Sequence, residues 1–429
     1  MLFHPRGHRS GAGDPTLAPV TQPQSSTSPG YSAGVVAVGA GLVVASLGTY
    51  LFHAIGGRTM PTAEFGLFGS IWSAFFLVVI VAFLAFEQTI TARLARSDSS
   101  VGGPRSFALI GVVTLVGIVA LEIIARQVLG VNEGMVLAWL ALGVFGYGAL
   151  YPLRGIKAGT RRFWAYGGLF ASESLVRLLV LWLLSLVHPL TLVDFVAAMA
   201  LAPVIVVTIN LTAYRVLGWS EDHLSIGVGS IGALGLANLA LVAMLNLGPV
   251  LVTARGSAAA SALLFAALLI VRSPLYLFQS VTSTALVFFG RAIETQGVAV
   301  VWRRIARWAI GVTLLGFGLA LLVSPLVRWI VGVIFGADLQ LEPADYALIG
   351  AAVVGVIVSL VLNQYYIAAR LEMVVAVSWV VGLVVFLGVA SAGSNPLRST
   401  EWALLAGQTI VIALLLLLGH SRVSREVAA

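Results

Sequence analysis

The run FASESLVRLLVLWLLSLV, residues 170–187, is apolar enough to cross a bilayer, yet it holds Glu173 and Arg177. Four residues apart, the two lie about 40° from one another around a helix and close enough to pair. Alone at mid-membrane each charge would cost roughly 2.5 to 3.5 kcal/mol on insertion scales, so both are expected to face the protein interior or a wet cavity. Together they are a neutral structural charge pair, and truncating one member would strand the other. Arg272 lies in another apolar run, and on a continuous helix its face extends through Tyr276, Gln279 and Ser283. A guanidinium there can hold an oxyanion through two parallel hydrogen bonds. The alternative is an arginine paired with an acidic group of a neighbouring helix, or one that snorkels along the bundle. Glu87, near the end of a third run, reads either as a cavity carboxylate open to a proton or cation, or as a boundary residue bridged to nearby arginines. Ser46, Tyr50, His53 and Gly57 share one helical stripe, suited to binding hydroxyls or to an interhelical contact, and Asn238 and Asn246 read alike. Glu122 and Arg126 form a further pair four apart, expected to be solvated and structural.

The elements that must position these residues are membrane helices. Of 429 residues, 59% are hydrophobic and only 10% charged, a balance no soluble core requires. Stretches of spanning length fall at about 32–57, 65–87, 107–125, 135–153, 164–187 and 192–213. Six more fall at about 229–252, 258–286, 309–332, 345–367, 373–392 and 401–419, giving an all-α polytopic protein of twelve transmembrane helices. Residues 1–30, rich in Pro, Ser, Thr, Gly and Gln, are expected to form a disordered cytoplasmic tail and not a signal peptide. The polar connection YRVLGWSEDHLSIGV, residues 214–228, divides the chain into an N-lobe (31–213) and a C-lobe (229–420), with a cytoplasmic tail at 421–429.

Charge sets the expected orientation. Basic residues crowd one set of connections, among them Arg93, Arg96, Arg105, Arg154, Lys157, Arg161, Arg162, Arg303, Arg304 and Arg307. The opposite set holds only Arg58, Arg126, Arg255, Arg328 and Arg398, so both termini are expected in the cytoplasm. The same placement argues against a nucleic-acid partner despite the net charge of +7. With no cysteine the chain has neither disulfides nor thiolate chemistry. Gly-rich runs such as GVGSIGALG lack the Lys-Ser/Thr ending of a phosphate loop, and no HExxH, catalytic carboxylate pair or Ser/His/Asp arrangement is present. No enzyme, metal site or cofactor is expected.

Two stretches carry a family resemblance. GTYLFHAIGGRTMPTAEFGLFGSIWSAF (48–75), followed by FEQTITARLA (86–95), resembles the first two helices of polysaccharide-export flippases in the multidrug/oligosaccharidyl-lipid/polysaccharide (MOP) superfamily. The resembling residues are Arg58 at the end of helix 1 and Glu64, Phe65 and Gly66 opening helix 2. VRSPLYLFQSVTSTAL (271–286) resembles the family's helix 8, without the Pro often found shortly after it. The resemblance implies a MATE-like fold of two six-helix lobes with a central cavity lined mainly by helices 1, 2, 7 and 8. It implies a multi-pass transporter in the bacterial cytoplasmic membrane that flips an undecaprenyl-type lipid-linked oligosaccharide by alternating access, as a monomer, with coupling to a proton or cation possible. On that reading Arg272, Tyr276, Gln279, Glu87, His53, Tyr50 and Asn238 are the substrate-binding candidates, while Glu173 and Arg177 lie inside the first lobe. A MATE-like multidrug or cation exporter is the nearest alternative. A membrane-embedded glycosyltransferase or polymerase is a more distant one, because the outer loops are too short for a catalytic domain.

Overall fold

The computed structural model describes residues 29–95, 104–212 and 230–428. The segment 214–228 and all but the last two residues of 1–30 lie outside the described residues. Among the described residues thirteen α-helices follow one another: α1 (Pro29–Thr59), α2 (Thr62–Ala95), α3 (Pro104–Ile123), α4 (Gly134–Gly159), α5 (Phe163–Ser185), α6 (Leu192–Ile209), α7 (Ser230–Ala254), α8 (Ala258–Val271), α9 (Ser273–Gln296), α10 (Val298–Phe335), α11 (Pro343–Ala368), α12 (Glu372–Ala392) and α13 (Pro396–Ala428). Twelve spans in this set are long and apolar enough to cross a membrane, the eighth running from Ala258 to Leu275. Apart from the α8–α9 joint, which lies within one span, the short described connections make successive helices run in opposite directions, and α2 meets the α7–α8 turn, so one face of the molecule carries the α1–α2, α7–α8 and α12–α13 turns. We call it the far face, and the opposite side, towards the chain's N-terminus, the near face.

α10 starts well before the expected residue 309. Its 38 residues extend roughly 57 Å at 1.5 Å each, longer than a bilayer core of about 30 Å. The exposed Arg303, Arg304 and Arg307 therefore sit in helical turns and not in a loop. The expected eighth helix is also interrupted. α8 stops at Val271 and α9 begins at Ser273, with Pro274 in its first turn and Arg272 at the joint. Proline cannot donate a backbone hydrogen bond, and its ring clashes with the preceding turn, so the face from Arg272 to Ser283 does not run along one straight helix.

α1 to α6 pack chiefly on one another, as α2 with α4, α4 with α6 and α1 with α5; α7 to α13 do likewise through α12 with α13, α10 with α11 and α7 with α12. The two groups meet where α2 lies along α7 and α8 and α1 touches α10. The contact at α2 is close because its residues are small. A Cβ added to Gly66 would come 1.8 Å from the Ala258 carbonyl oxygen. One turn along, the Ser70 hydroxyl lies 2.9 Å from the Pro249 carbonyl oxygen, 2.7 Å from Thr253 Oγ1 and 2.9 Å from Ser261 Oγ. Ser70 and Ser261 are both fully buried.

The residues that carried the family resemblance tie the far face together. The Arg58 guanidinium donates to the carbonyls of Ile334 (2.9 Å) and Val333 in the last turn of α10, where a cation complements the helix dipole. The Glu64 carboxylate accepts the backbone N–H of Leu192 at the start of α6 (2.9 Å). Phe65 is fully buried, and Gly66 admits α8.

The Ser70–Ser261 contact makes a direct test, because the chain has no cysteine. The double variant Ser70→Cys/Ser261→Cys is expected to form an intramolecular disulfide readily under mild oxidation, read as a mobility shift reversed by reductant. Failure to cross-link under oxidant that closes a control pair within one helix bundle would rule out this far-face contact.

Candidate functional site

Two polar clusters lie inside the helices, one in each group. In the first, Glu173 on α5 accepts a hydrogen bond from Arg177 Nη2 (2.6 Å) one turn along the same helix and from Arg154 Nη2 (2.5 Å) on α4. The Tyr147 hydroxyl, also on α4, donates to the same carboxylate. Tyr147, Tyr151 and Arg154 recur at i, i+4 and i+7, which puts them on one face of α4 towards α5. On α2, Glu87 accepts from the Tyr166 hydroxyl (2.7 Å) and lies within electrostatic reach of Arg154. All four charged side chains are buried, with residue exposures between 2% for Arg177 and 8% for Glu87. Two guanidiniums and two carboxylates thus form a neutral set drawn from α2, α4 and α5.

Aromatic rings complete this enclosure. Arg154 stacks over Phe170 (4.2 Å) and Tyr151 (5.1 Å), and Arg177 over Trp72 (4.9 Å) and Phe52 (5.5 Å). A cation over a ring face gains electrostatic energy in a setting with no water to compete. His53 is fully buried beside them, its Nδ1–H donating to the Thr49 carbonyl (2.7 Å) and its ring edge-on to Trp72 (4.3 Å). Tyr50 on the same helix reaches the other group, donating to the Leu269 carbonyl (2.9 Å), and Gly57 packs against Phe335. The α1 stripe therefore divides between a buried aromatic nest and the contact with the second group.

The second cluster surrounds a small cavity of about 20 Å³ among α7, α8, α11, α12 and α13. Arg272, Gln408 and Trp379 line it, with aliphatic residues such as Met244, Leu268 and Val356. Among the described residues its lining includes one cation and no acidic side chain. The Gln408 amide donates to the Ser359 hydroxyl (2.6 Å). Arg272, the residue that caps α8 at the break, lines this space.

The sequence-derived candidates thus fall in different places. Arg272 lines the cavity; Glu87 and His53 belong to the first cluster; Tyr50 bridges the two groups; Asn238 is exposed on α7. Tyr276 and Gln279 lie on α9, with side chains outside the described residues. Arg154 corrects the sequence reading. Placed there in a near-face loop, it is buried within α4, because Glu173 and the rings of Tyr151 and Phe170 supply what water would. The i, i+4, i+7 spacing with Tyr147 and Tyr151 was the available signal for it. Gln408 had none, being one amide in a long apolar run.

No family model matches the chain. The uncharacterized protein Rv3630 of Mycobacterium tuberculosis is 26% identical over 394 residues, covering 85% of this chain and 87% of that one. Rv1510 of the same organism is 30% identical over 162 residues, and the match spans only about a third of its length, 37%. Among solved structures, the inward-facing conformation of a multidrug resistance MATE transporter of the MOP superfamily superposes with a TM-score of 0.63 at 14% identity, covering 91% of this chain and 98% of that one. An outward-facing MATE transporter gives 0.54 at 13% identity, covering 92% and 96%. A MOP superfamily transporter from Pyrococcus furiosus, described as having a binding pocket of reversed polarity, gives 0.60 at 13%, covering 91% and 94%. The chain is a multi-pass membrane protein with the fold of MATE-type transporters of the MOP superfamily.

Because Glu173 serves two arginines, the charge balance after its removal rests on Glu87, which lies within electrostatic reach of Arg154. Glu173→Gln is expected to cost roughly 3–5 kcal/mol by leaving a buried guanidinium unbalanced. Adding Arg177→Met leaves Arg154 and Glu87 to balance one another and should recover much of this, while the triple change including Arg154→Met strands Glu87 and should recover less. Thermal unfolding of the purified variants measures the order, and a triple variant more stable than the double would show that Glu87 is not part of the set.

Proposed function

We propose that this protein flips an undecaprenyl-type lipid-linked oligosaccharide across a bacterial cytoplasmic membrane during cell-surface polysaccharide synthesis. The observation that carries this reading is the cavity in the second helix group, which presents Arg272 among aliphatic walls with no acidic lining residue. Widened by helix movement in the transport cycle, such a site would suit a diphosphate whose remaining surface is lipid or sugar, because a guanidinium can bind two phosphate oxygens in its plane while apolar walls exclude water. An organic cation would meet the wrong charge there. In this reading residues 31–213 and 229–420 act as an N-lobe and a C-lobe, both termini are cytoplasmic, and transport proceeds by alternating access. The far face would then be external. The contacts of Ser70 with Ser261 and of Arg58 with α10 would hold it closed while the near side receives cargo.

Multidrug or cation export is the second reading, favoured by the fold shared with multidrug transporters and by the buried carboxylate of Glu87 beside the Tyr166 hydroxyl. The two readings separate on Arg272. In proteoliposomes assayed for translocation of a polyprenyl-diphosphate oligosaccharide, Arg272→Lys is expected to lower transport, since it keeps the charge but loses planar two-point contact. Arg272→Ala should lower it further, on the order of tenfold or more for a contact worth about 1.5–3 kcal/mol. Normal transport by Arg272→Met at normal abundance would remove the phosphate contact. Efflux of ethidium without translocation of the lipid-linked sugar would establish the export reading in its place.

A further inference from the structure

The described residues include one buried meeting of two carboxyl groups, at the far end of the second helix group. Glu401 on α13 is fully buried, and neither of its carboxyl oxygens has a hydrogen-bond partner among the described residues. The group within hydrogen-bonding reach of it is the carboxyl of Asp345 on α11, itself 7% exposed. Asp345 accepts the backbone N–H of Glu342 (3.2 Å) through Oδ2, in a reciprocal cap that fixes the first turn of α11. Two ionised carboxylates cannot satisfy one another, because each is an acceptor and carries the same charge. No cation hydrogen-bonds the Glu401 carboxyl among the described residues, although Arg398 lies within electrostatic reach of it. Arg255 donates to the Ala390 and Gly393 carbonyls and to the Ser399 hydroxyl, and Arg398 faces Glu342 at 3.8 Å. Arg328 of α10 acts on Tyr346, whose hydroxyl accepts the Leu341 N–H (3.2 Å). α12 adds an acidic residue only in its first turn, Glu372 at the near face.

The pair stands directly above the Arg272 cavity. Asp345 shares a helical face with Ile349, Ala352 and Val356, and Glu401 shares one with Leu404 and Gln408; the later members of both stripes line the cavity. Glu401 and Gln408 are about 10 Å apart along α13. The Asp345 carboxyl lies in the first turn of α11, where the backbone favours negative charge.

We propose that Asp345 and Glu401 form a proton-binding site at the far end of the Arg272 cavity, whatever the cargo of that cavity. In the loaded state a carboxylic O–H of one group donates to the carboxylate of the other, and the pair carries a single negative charge. On release that O–H bond breaks, its electron pair stays on the oxygen, and the proton passes to water. The pair then carries two negative charges facing a cavity that contains a guanidinium.

The test is difference infrared spectroscopy of the purified full-length protein in lipid nanodiscs, stepped through pH. The wild type is expected to show the carbonyl stretch of a protonated carboxylic acid whose amplitude falls as pH rises. Glu401→Gln should abolish the band by removing one of its two carboxyls. Asp345→Asn should abolish it too, because an amide N–H then satisfies Glu401 as an anion. Should Glu401→Gln fail to elute as a single folded species, Asp345→Asn carries the test. Glu122→Gln on α3 should leave the band unchanged. Persistence of the titrating band in both pair variants, or its absence from the wild type, overturns the proposal. Loss of the band on adding sodium chloride but not choline chloride at fixed pH overturns it in favour of a monovalent-cation site.

Discussion

A hydrocarbon surround offers no water to a charge, so every ionised group within these helices must be answered by another part of the chain. Glu173 meets that constraint for two arginines at once. Its carboxylate joins α4 to α5; through Arg154 and Tyr166 the set extends to Glu87 on α2; through Arg177 it reaches Trp72 and Phe52. Four charges that would each be costly alone become a neutral, aromatic-lined cross-brace. Such a brace is worth little in net stability against a well-packed apolar substitute, and its main consequence is specificity. Only one rotation and depth of α2, α4 and α5 lets all these groups meet, so these three helices are fixed relative to one another.

Bracing within the first group permits a weak boundary with the second. Apolar side chains gain nothing from burial against each other that lipid does not already offer, so close approach and hydrogen bonding decide the contact. At the far end both are present, in Gly66 against the Ala258 carbonyl and in the hydroxyls of Ser70, Thr253 and Ser261. Each of these neutral hydrogen bonds is worth about 1 kcal/mol or less between membrane helices. A contact built this way can be broken and remade without unfolding either partner.

The sequence revealed the helices and their number because spanning a bilayer leaves a long apolar signature that needs no tertiary information. It also revealed Glu173 with Arg177, since pairing at four residues is local. Arg154 was misplaced because a residue five positions from the end of a helix, beside Lys157 and Arg161, looks the same in sequence whether it turns inward or out. What turns it inward is Glu173, nineteen residues away on another helix. Arg272 was legible as an isolated cation, but its helix was read as continuous. Pro274 was visible, and whether a proline bends a membrane helix or ends it depends on neighbours that can accept the freed groups. Asp345 and Glu401 were each readable as ordinary residues near a loop, and only the packing of α11 on α13 makes them a pair.

The two groups therefore treat charge in opposite ways. In the first, cations and anions are matched, capped by tyrosine hydroxyls and stacked on rings, which suits a body that keeps one shape. In the second, Arg272 lines a small cavity and the carboxyls of Asp345 and Glu401 meet. Two carboxyls that share a site change their hydrogen bonding when a proton arrives or leaves, and the energy of that exchange is available to move helices. The matched set cannot respond in this way, because any change there costs the desolvation of a stranded ion. In the alternating-access cycle proposed above, the responsive chemistry would therefore belong to α7–α13, and the matched charges of α2, α4 and α5 would supply the fixed wall against which it works.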